Sequence, residues 1–195
     1  QGVDPRSILL LTFTRRAAEE MLRRASLLID GRCKQVAGGT FHSFANLVLR
    51  ISGRHLGLTP SFSIMDRSDS EDVIQLIRTE MGLNTKEKRF PRKQTVAEIF
   101  SMTLNKQTRL SDLLELEYPH LIELDYELAE LLTRYTDYKR TKSLLDYDDL
   151  LTLLRDLLAD HAAVRNRLSD TYRFIMVDEY QDTNHLQAEI VRLLA

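Results

Sequence analysis

Tyr172-Arg-Phe-Ile-Met-Val-Asp-Glu-Tyr-Gln-Asp-Thr-Asn184 is the most informative segment of this chain of 195 residues. Residues 174–177 form a short apolar run rich in residues that favour strands, and we expect them to form a fully buried strand. Asp178 and Glu179 follow that run directly. In open α/β sheets ligands bind beyond the carboxyl ends of the strands, so a carboxylate pair at this position is expected to point into a site.

Two adjacent carboxylates after a buried strand can divide a hydrolytic task between them. One carboxylate can hold Mg²⁺, usually through water, because Mg²⁺ keeps much of its hydration. The other can orient and deprotonate an attacking water. This is the Walker B half of a nucleotide triphosphatase. The same pair is also common at a solvated strand end or at the start of a turn, and that interpretation stays open from these residues alone.

Composition indicates an ordinary soluble globular protein of one domain or two small ones, with 43% hydrophobic and 29% charged residues. No apolar run approaches the ~20 residues that a membrane span needs. Cys33 is the single cysteine, so a disulfide framework and a thiolate zinc site are excluded, which fits a reducing cytoplasm. The net charge of −2 neither supports nor excludes nucleic acid. The chain does not begin with Met, and we expect it to be a fragment.

The beginning of the chain predicts a strand followed by a helix, as in the βα units of parallel sheets. Residues 8–11 form the strand, and residues 15–29 place apolar side chains at helical spacing. Thr14 is placed to cap this helix. A helix N-terminus with Arg15 and Arg16 beside it is a natural phosphate site, although the two arginines alone are more typical of a solvated face.

Residues 35–43 repeat this arrangement, with a short strand that ends in Thr40-Phe-His-Ser43 and a second helix after it. The two glycines before Thr40 permit close approach of another backbone. Phe41 can stack on an exposed base, and Thr40 or His42 can bond a phosphate or sugar. The alternatives are a core aromatic for Phe41 and a satisfied residue at a helix start for His42.

Residues 66–142 show helical periodicity and no convincing strand, which predicts an all-helical domain inserted into the α/β domain. Residues 68–71 and 95–98 both have the form of capping boxes. The basic loop at residues 86–93 is a candidate contact for a DNA backbone, or simply a solvated loop. Asp148 and Asp149 are candidate metal ligands in isolation, but we interpret them as acidic residues at a helix start.

Four segments resemble motifs of the UvrD/Rep/PcrA family of superfamily 1 DNA helicases. Residues 177–184, Val-Asp-Glu-Tyr-Gln-Asp-Thr-Asn, resemble its Walker B motif, and residues 11–21 and 39–44 look like its motifs Ia and Ib. Residues 146–151 are similar to the acidic and apolar element that re-enters domain 1A after the inserted domain 1B. All four occur in the family's order, so the resemblance covers essentially the whole chain.

The resemblance implies an α/β fold: an incomplete P-loop NTPase fold with a RecA-like parallel sheet, flanking helices and an inserted all-helical subdomain. Residues 1–64 would be the first part of domain 1A, and residues 65–142 would be domain 1B. Residues 143–195 would be the second part of domain 1A, which carries the Walker B motif.

The resemblance also implies roles for individual residues, with ATP and Mg²⁺ as cofactors of the parent protein. Asp178 would help hold Mg²⁺, Glu179 would be the general base, and Gln181 would sense the γ-phosphate. Arg15 stands where the family commonly has Asn, and Arg16 stands where Lys is usual. Single-stranded DNA would be touched by the two strand exits, namely Phe13, Thr14, Arg15, Arg16, Thr40, Phe41 and His42.

One expected motif is absent, because a Walker A loop needs Gly-x-x-x-x-Gly-Lys-Ser/Thr and this sequence has no Gly-Lys pair. We therefore expect the isolated chain not to hydrolyse ATP, while its parent would be a cytoplasmic helicase or translocase. The parent's partners would be single-stranded DNA, junctions of single- and double-stranded DNA, and its own remaining domains. Two alternatives stay open: the motor subunit of an AddA/RecB-like helicase-nuclease, and a catalytically dead homologue that only binds DNA or protein.

Overall fold

The computed structural model describes residues 3–28, 35–83 and 90–195. The chain divides into two compact units. Gln1–Pro60 and Leu150–Ala195 form the first, which we call the sheet unit, and Ser61–Asp149 form the second, the helical unit. These boundaries follow residues 60 and 149, whereas the sequence places domain boundaries after residues 64 and 142.

The described residues form five strands, nine α-helices and four 3₁₀ helices. The strands are β1 (Ile8–Thr12), β2 (Ala37–Thr40), β3 (Ser63–Ile64), β4 (Leu144–Leu145) and β5 (Phe174–Val177). The α-helices are α1 (Arg15–Leu28), α2 (Phe41–Ser52), α3 (Arg67–Glu80), α4 (Lys93–Lys106), α5 (Leu110–Glu117), α6 (Asp125–Lys142), α7 (Tyr147–Asp160), α8 (Ala162–Thr171) and α9 (His185–Leu194). The 3₁₀ helices span Pro5–Ser7, Gly53–Leu56, Pro119–Leu124 and Tyr180–Asp182.

The sheet unit contains a parallel sheet with the strand order β2-β1-β5. β1 is the central strand, and Leu9, Leu10 and Leu11 are buried in it, as expected for a parallel strand covered on both faces. α1 connects β1 to its neighbour β2, which is the predicted βα arrangement. This confirms the α/β fold class with a parallel sheet and flanking helices.

β5 forms where the sequence predicts it, but the expectation of full burial is wrong. Phe174 is 46% exposed and Met176 is 53% exposed. Side chains alternate between the two faces of a strand, and Ile175 and Val177 are the residues turned to the more buried face. A run of four apolar residues therefore does not distinguish a central strand from one at the edge of this sheet.

The helical unit packs its helices around one cluster of apolar side chains. Ile74 and Ile77 of α3, together with Val96 and Ile99 of α4, lie in this cluster at the helical spacing that predicts it. The short parallel pair of β3 and β4 was not predicted, and its strands lie just outside the segment 66–142 that the sequence predicts to be all-helical. In the part of the chain that the structure describes, no helix has the length and apolar character needed to cross a membrane.

Both predicted capping boxes are wrong, because the helices begin earlier than the sequence pattern suggests. The N-cap of α3 is Asp66, whose carboxylate accepts from the Asp69 N–H at 2.9 Å, while Asp69 accepts from the Asp66 N–H at 3.2 Å. Ser68 therefore lies inside α3. The N-cap of α4 is Arg92, which makes no side-chain capping bond, and Thr95 lies within that helix.

Candidate functional site

The three strands of the sheet unit bring the predicted site residues to one edge. All three are parallel, so their carboxyl ends lie on the same side of the sheet. Thr12 pairs with Thr40 across β1 and β2, and Leu11 pairs with Val177 across β1 and β5. The Asp178 N–H then donates to the Leu11 carbonyl at 3.0 Å and extends the ladder by one residue. β1 thus lies between the carboxylate pair and the Thr40 segment.

The exit from β1 is fixed by two threonines. Thr12 is fully buried, and its hydroxyl donates to the Thr14 carbonyl at 2.8 Å. Thr14 caps α1 as predicted, because its Oγ1 accepts from the Ala17 N–H at 3.1 Å. The Arg15 and Arg16 side chains are exposed in the first turn, and that turn contains no acidic residue. Free backbone donors and two cations make this helix start suitable for an anion.

The exit from β2 has the same design. Thr40 is the N-cap of α2, and its Oγ1 accepts from the Ser43 N–H at 3.2 Å. The Ser43 hydroxyl donates back to the Thr40 carbonyl at 2.9 Å. The first turn of α2 also lacks an acidic residue, and His42 is half-buried within it. Two helix N-termini that favour anions therefore follow two neighbouring strands.

The glycines before Thr40 are required by side chains, not by another backbone as the sequence suggested. A Cβ on Gly39 would lie 2.7 Å from the Ser43 Oγ, and a Cβ on Gly38 would lie 3.2 Å from a methyl group of Leu22. Gly39 thus makes room for the hydroxyl that closes the Thr40 cap. The predicted approach of another backbone is therefore wrong, and the atoms close to both glycines belong to side chains.

The two aromatic residues of the strand exits differ in exposure. Phe41 is 1% exposed, whereas Phe13 is half-buried. Their ring centroids lie 6.0 Å apart with the planes tilted by 50°. A buried ring offers no face to a base, so the burial of Phe41 matches the core interpretation and does not support stacking there. Phe13 lies beside Phe41 and is the more accessible of the two rings, so it is the better candidate for contact with a base.

Glu179 has an unusual backbone conformation directly after β5. Its φ is 50° and its ψ is 45°, in the left-handed region that non-glycine residues seldom adopt. Its carbonyl accepts from the Asp182 N–H at 2.8 Å, which closes the 3₁₀ helix Tyr180–Asp182. The Glu179 side chain is exposed, and Asp178 before it is half-buried. Strained residues concentrate at functional sites, and here the strain falls on the predicted general base.

The residues after Glu179 hold this turn in place. Gln181 is exposed in the 3₁₀ helix. The Thr183 hydroxyl donates to the Tyr180 carbonyl at 2.7 Å. Asn184 is the N-cap of α9 and shares a capping box with Gln187. The Asp-Thr-Asn end of the motif is therefore a structural support that carries Glu179 and Gln181 on a short, closed turn.

The donor set at this edge fits Mg²⁺ in its usual protein environment. Mg²⁺ is commonly held by one or two carboxylates, with water and substrate phosphates as its other ligands, and Asp178 and Glu179 supply two such groups. Within the described ranges, no group of three or more His, Cys, Asp or Glu residues is arranged to hold a metal.

Asp149 belongs to a structural cluster in the helical unit, as interpreted from sequence. Lys139 Nζ donates to Asp146 and Asp149, each at 2.6 Å, and the two carboxylates close a capping box at the start of α7. Burial and the neighbouring Asp146 charge raise the pKa of Asp149 to about 6. Burial acts to raise the pKa of Asp146 as well, but the charge and hydrogen bond of Lys139, together with the hydrogen bonds from the Asp149 N–H and the Tyr135 hydroxyl, hold that pKa below its ordinary value. Asp148 instead accepts from the Asn105 amide at 2.8 Å.

Sequence reasoning missed two features of the site. Thr12 was not identified, although a hydroxyl directly after a buried strand can bond the backbone of the strand exit. The left-handed backbone of Glu179 carries no sequence signal, because glycine or asparagine is the usual residue there. Cys33 and residues 86–89 of the basic loop lie outside the described residues.

Comparison with known proteins settles the family. The family model described as "UvrD/REP helicase N-terminal domain" matches residues 1–195. The chain belongs to the UvrD/REP helicase family. This agrees with the resemblance of residues 11–21, 39–44, 146–151 and 177–184 to family motifs.

Curated relatives of this UvrD/REP chain are named as helicases. It is 34% identical to the ATP-dependent DNA helicase PcrA of Leuconostoc citreum over 198 residues, which is 100% of this chain and 25% of that protein. It is 30% identical to the PcrA of Staphylococcus aureus over 198 residues, with 100% and 26% covered. A probable DNA helicase II homolog of Mycoplasma capricolum is 30% identical over 194 residues, with 100% and 27% covered. The chain spans about a quarter of the length of these relatives.

Proposed function

We propose that this chain is part of an ATP-dependent DNA helicase or translocase that couples ATP hydrolysis to movement on single-stranded DNA. The supporting observation is the parallel register that places the Asp178–Glu179 pair and the Thr40 segment on either side of β1. The family membership and the helicase names of the relatives support the same activity. The proposal carries with it the cytoplasmic location expected from the single cysteine.

In this proposal Asp178 helps to hold Mg²⁺, and Glu179 is the general base. The metal would neutralise charge that develops on the phosphates. Glu179 accepts a proton from the attacking water, and the Asp182 N–H, which donates to the Glu179 carbonyl at 2.8 Å, closes the backbone turn that carries it. Gln181 lies two residues further on the same closed turn, where a side chain can respond to the terminal phosphate.

The exits of β1 and β2 would hold the DNA. Thr14 and Thr40 cap neighbouring helices whose first turns lack acidic residues, so backbone donors there can bind phosphates. Arg15 and Arg16 add positive charge, and Phe13 supplies a half-buried aromatic ring at the same exit. Stacking is sequence-tolerant because every base has a π face. These contacts suit a motor that moves along any sequence and, with the other domains of its chain, opens duplex at a junction.

The distribution of charge supports the placement of the DNA contacts on the sheet unit. The sheet unit has fourteen basic and eleven acidic residues, a net formal charge of +3. The helical unit has thirteen basic and eighteen acidic residues, a net formal charge of −5. Contacts with phosphates depend on local positive charge, so we place the main DNA contacts on the sheet unit. The described part of the helical unit offers less support for a DNA contact.

The test is the ATPase activity of the full-length protein, with and without single-stranded DNA, beside its Glu179→Gln variant. We expect DNA to stimulate turnover, and the variant to bind ATP but lose at least ~100-fold in kcat. Glu123→Gln, an exposed carboxylate of the helical unit, is the matched control and keeps full activity. The 195-residue chain alone is expected to be inactive, because it lacks a Gly-Lys pair.

Two results would contradict the proposal. A full-length protein that is inert with ATP and DNA present would favour the catalytically dead alternative. Unchanged turnover in Glu179→Gln would assign the proton transfer to another residue.

A further inference from the structure

A shallow apolar groove lies on the helical unit, between one face of α3 and the β3–β4 pair. Its volume is about 430 Å³, within the range of pockets that hold small molecules or peptide side chains. The apolar lining comes from Ile64 of β3, Val73 and Leu76 of α3, and Leu144 of β4. Every lining residue belongs to the helical unit, so the groove is complete within that unit.

The groove exists because α3 has apolar residues beyond its buried stripe. Ile74 and Ile77 are buried in the core of the helical unit. Residues 69, 72, 73 and 76 are spaced at three and four positions, so they share a different face of the helix. Leu76 on that face is 45% exposed. A large aliphatic side chain at the wall of a groove favours contact with another apolar group.

The margin of the groove is acidic. Asp69 and Asp72 line it together with the apolar residues, and the unit as a whole carries a net formal charge of −5. Asp72 already accepts from Lys93 at 2.5 Å while its side chain stays 68% exposed, which shows that this margin can pair with an ammonium group. Phosphates would be repelled here, so nucleic acid is a poor occupant.

We propose that this groove docks a short basic amphipathic segment of a partner protein. Its apolar side chains would pack against Leu76 and Ile64, and its lysine or arginine side chains would lie near Asp69 and Asp72. Helical segments that bind in grooves commonly use apolar anchors at three- and four-residue spacing, and charged groups at the margin add specificity and association rate. This interaction is independent of the nucleotide and DNA contacts proposed for the sheet unit.

The test uses the full-length protein and a fluorescent synthetic helical peptide made of lysine and leucine. A peptide with serine in place of leucine is its control, and binding is measured by anisotropy. We expect the leucine peptide to bind and Leu76→Lys to weaken it roughly tenfold or more, as loss of one buried anchor implies. Leu116→Lys is the matched variant, since Leu116 is 80% exposed on the same unit outside the groove, and it leaves the affinity unchanged.

Several results would overturn the proposal. The proposal is wrong if the leucine peptide does not bind, if the serine peptide binds with equal affinity, or if Leu116→Lys weakens binding as much as Leu76→Lys does. A change in DNA affinity on Leu76→Lys, with peptide affinity unchanged, would assign the groove to DNA. If Leu76→Lys changes the sedimentation of the protein but neither its peptide affinity nor its DNA affinity, the groove would be assigned to a second copy of the protein. If Leu76→Lys lowers the Tm, Asp72→Asn is used in its place, and we expect it to weaken binding of the leucine peptide about threefold. Asp137→Asn is its control and should leave the affinity unchanged.

Discussion

Replacement of Lys139 by methionine is expected to destabilise the helical unit strongly. Lys139 is 4% exposed, and its ammonium lies 2.6 Å from both Asp146 and Asp149. It also lies 4.5 Å from the centre of the Tyr135 ring, whose hydroxyl donates to Asp146 at 2.9 Å. Methionine keeps much of the length and apolar stem of lysine but removes the only cation of this cluster. Two buried carboxylates would then face each other without a counter-charge.

The size of the effect follows from these distances. At an effective dielectric constant of ~20, unit charges 2.6 Å apart attract by about 6 kcal/mol, and two such pairs offset the desolvation of three buried charges. Breaking a buried pair by removal of one partner costs about 3–5 kcal/mol in measured cases. We expect a loss in this range at pH 8, which lies well above the native pKa of Asp149.

The loss should be smaller at pH 5. Burial and the Asp146 charge already raise the pKa of Asp149 to about 6, and removal of the Lys139 charge raises it further. A raised pKa means that the folded state binds a proton more readily than the unfolded state, so stability increases as pH falls through that pKa. Protonation at pH 5 therefore removes most of the repulsion that the variant has at pH 8.

The measurement is urea unfolding at both pH values, followed by far-ultraviolet circular dichroism. Arg140→Met is the control, because its side chain is 86% exposed and lies 3.6 Å from Asp137; a surface pair of this kind contributes about 0–1 kcal/mol. The double variant Lys139→Met/Asp149→Asn should recover part of the loss. A loss below ~1 kcal/mol at pH 8, or equal losses at both pH values, would refute the charge argument.

Three further predictions concern single residues. The native protein should lose up to about 3 kcal/mol of stability as pH rises from 4 to 7, because the native pKa of Asp149, near 6, exceeds the ordinary 3.8. Asp149→Asn should remove this pH dependence, and an unchanged pH dependence of the unfolding free energy in urea would contradict this. Glu179→Gly should raise the unfolding free energy by about 1 kcal/mol through relief of its left-handed backbone while abolishing ATPase activity, and lower stability would show that the strain is absent. Gly39→Ala should cost about 1–3 kcal/mol from overpacking against the Ser43 hydroxyl, and Ser43→Ala in the same protein, which removes that hydroxyl and keeps a residue that favours the helix, should recover part of it in thermal unfolding.

The strand ends were predictable from sequence because their signals are local and mutually consistent. An apolar run of four residues followed by polar residues marks each of β1 and β5, and Thr14 was correctly identified as the cap of α1. A parallel sheet then brings the ends to one edge without further information. The Asp178–Glu179 pair could be placed at that edge for the same reason.

Features that depend on tertiary contacts could not be predicted in this way. Phe41 and Phe13 are the same residue type at equivalent exits, and only the packing makes one a core residue and the other half-buried. The capping box of α3 was misplaced because Asp66 and Ser68 both offer an acceptor near its start, and that of α4 because its N-cap, Arg92, makes no side-chain capping bond. The ion pairs of Lys139 could not be predicted from the sequence, because its partners Asp146 and Asp149 are seven and ten residues away. They meet Lys139 only because the chain turns at β4.

β1 is the element that the two proposed sites share. The Leu11 carbonyl binds the Asp178 N–H on one side, and the next residue, Thr12, pairs with Thr40 on the other. The buried Thr12 hydroxyl then fixes the Thr14 carbonyl at 2.8 Å, so the Phe13 backbone cannot move independently of the strand. A displacement at Asp178 must therefore be absorbed by β1 or passed to Phe13. Because β1 is buried from Leu9 to Thr12, and packed interiors deform little, we expect a displacement at Asp178 to be transmitted along the strand.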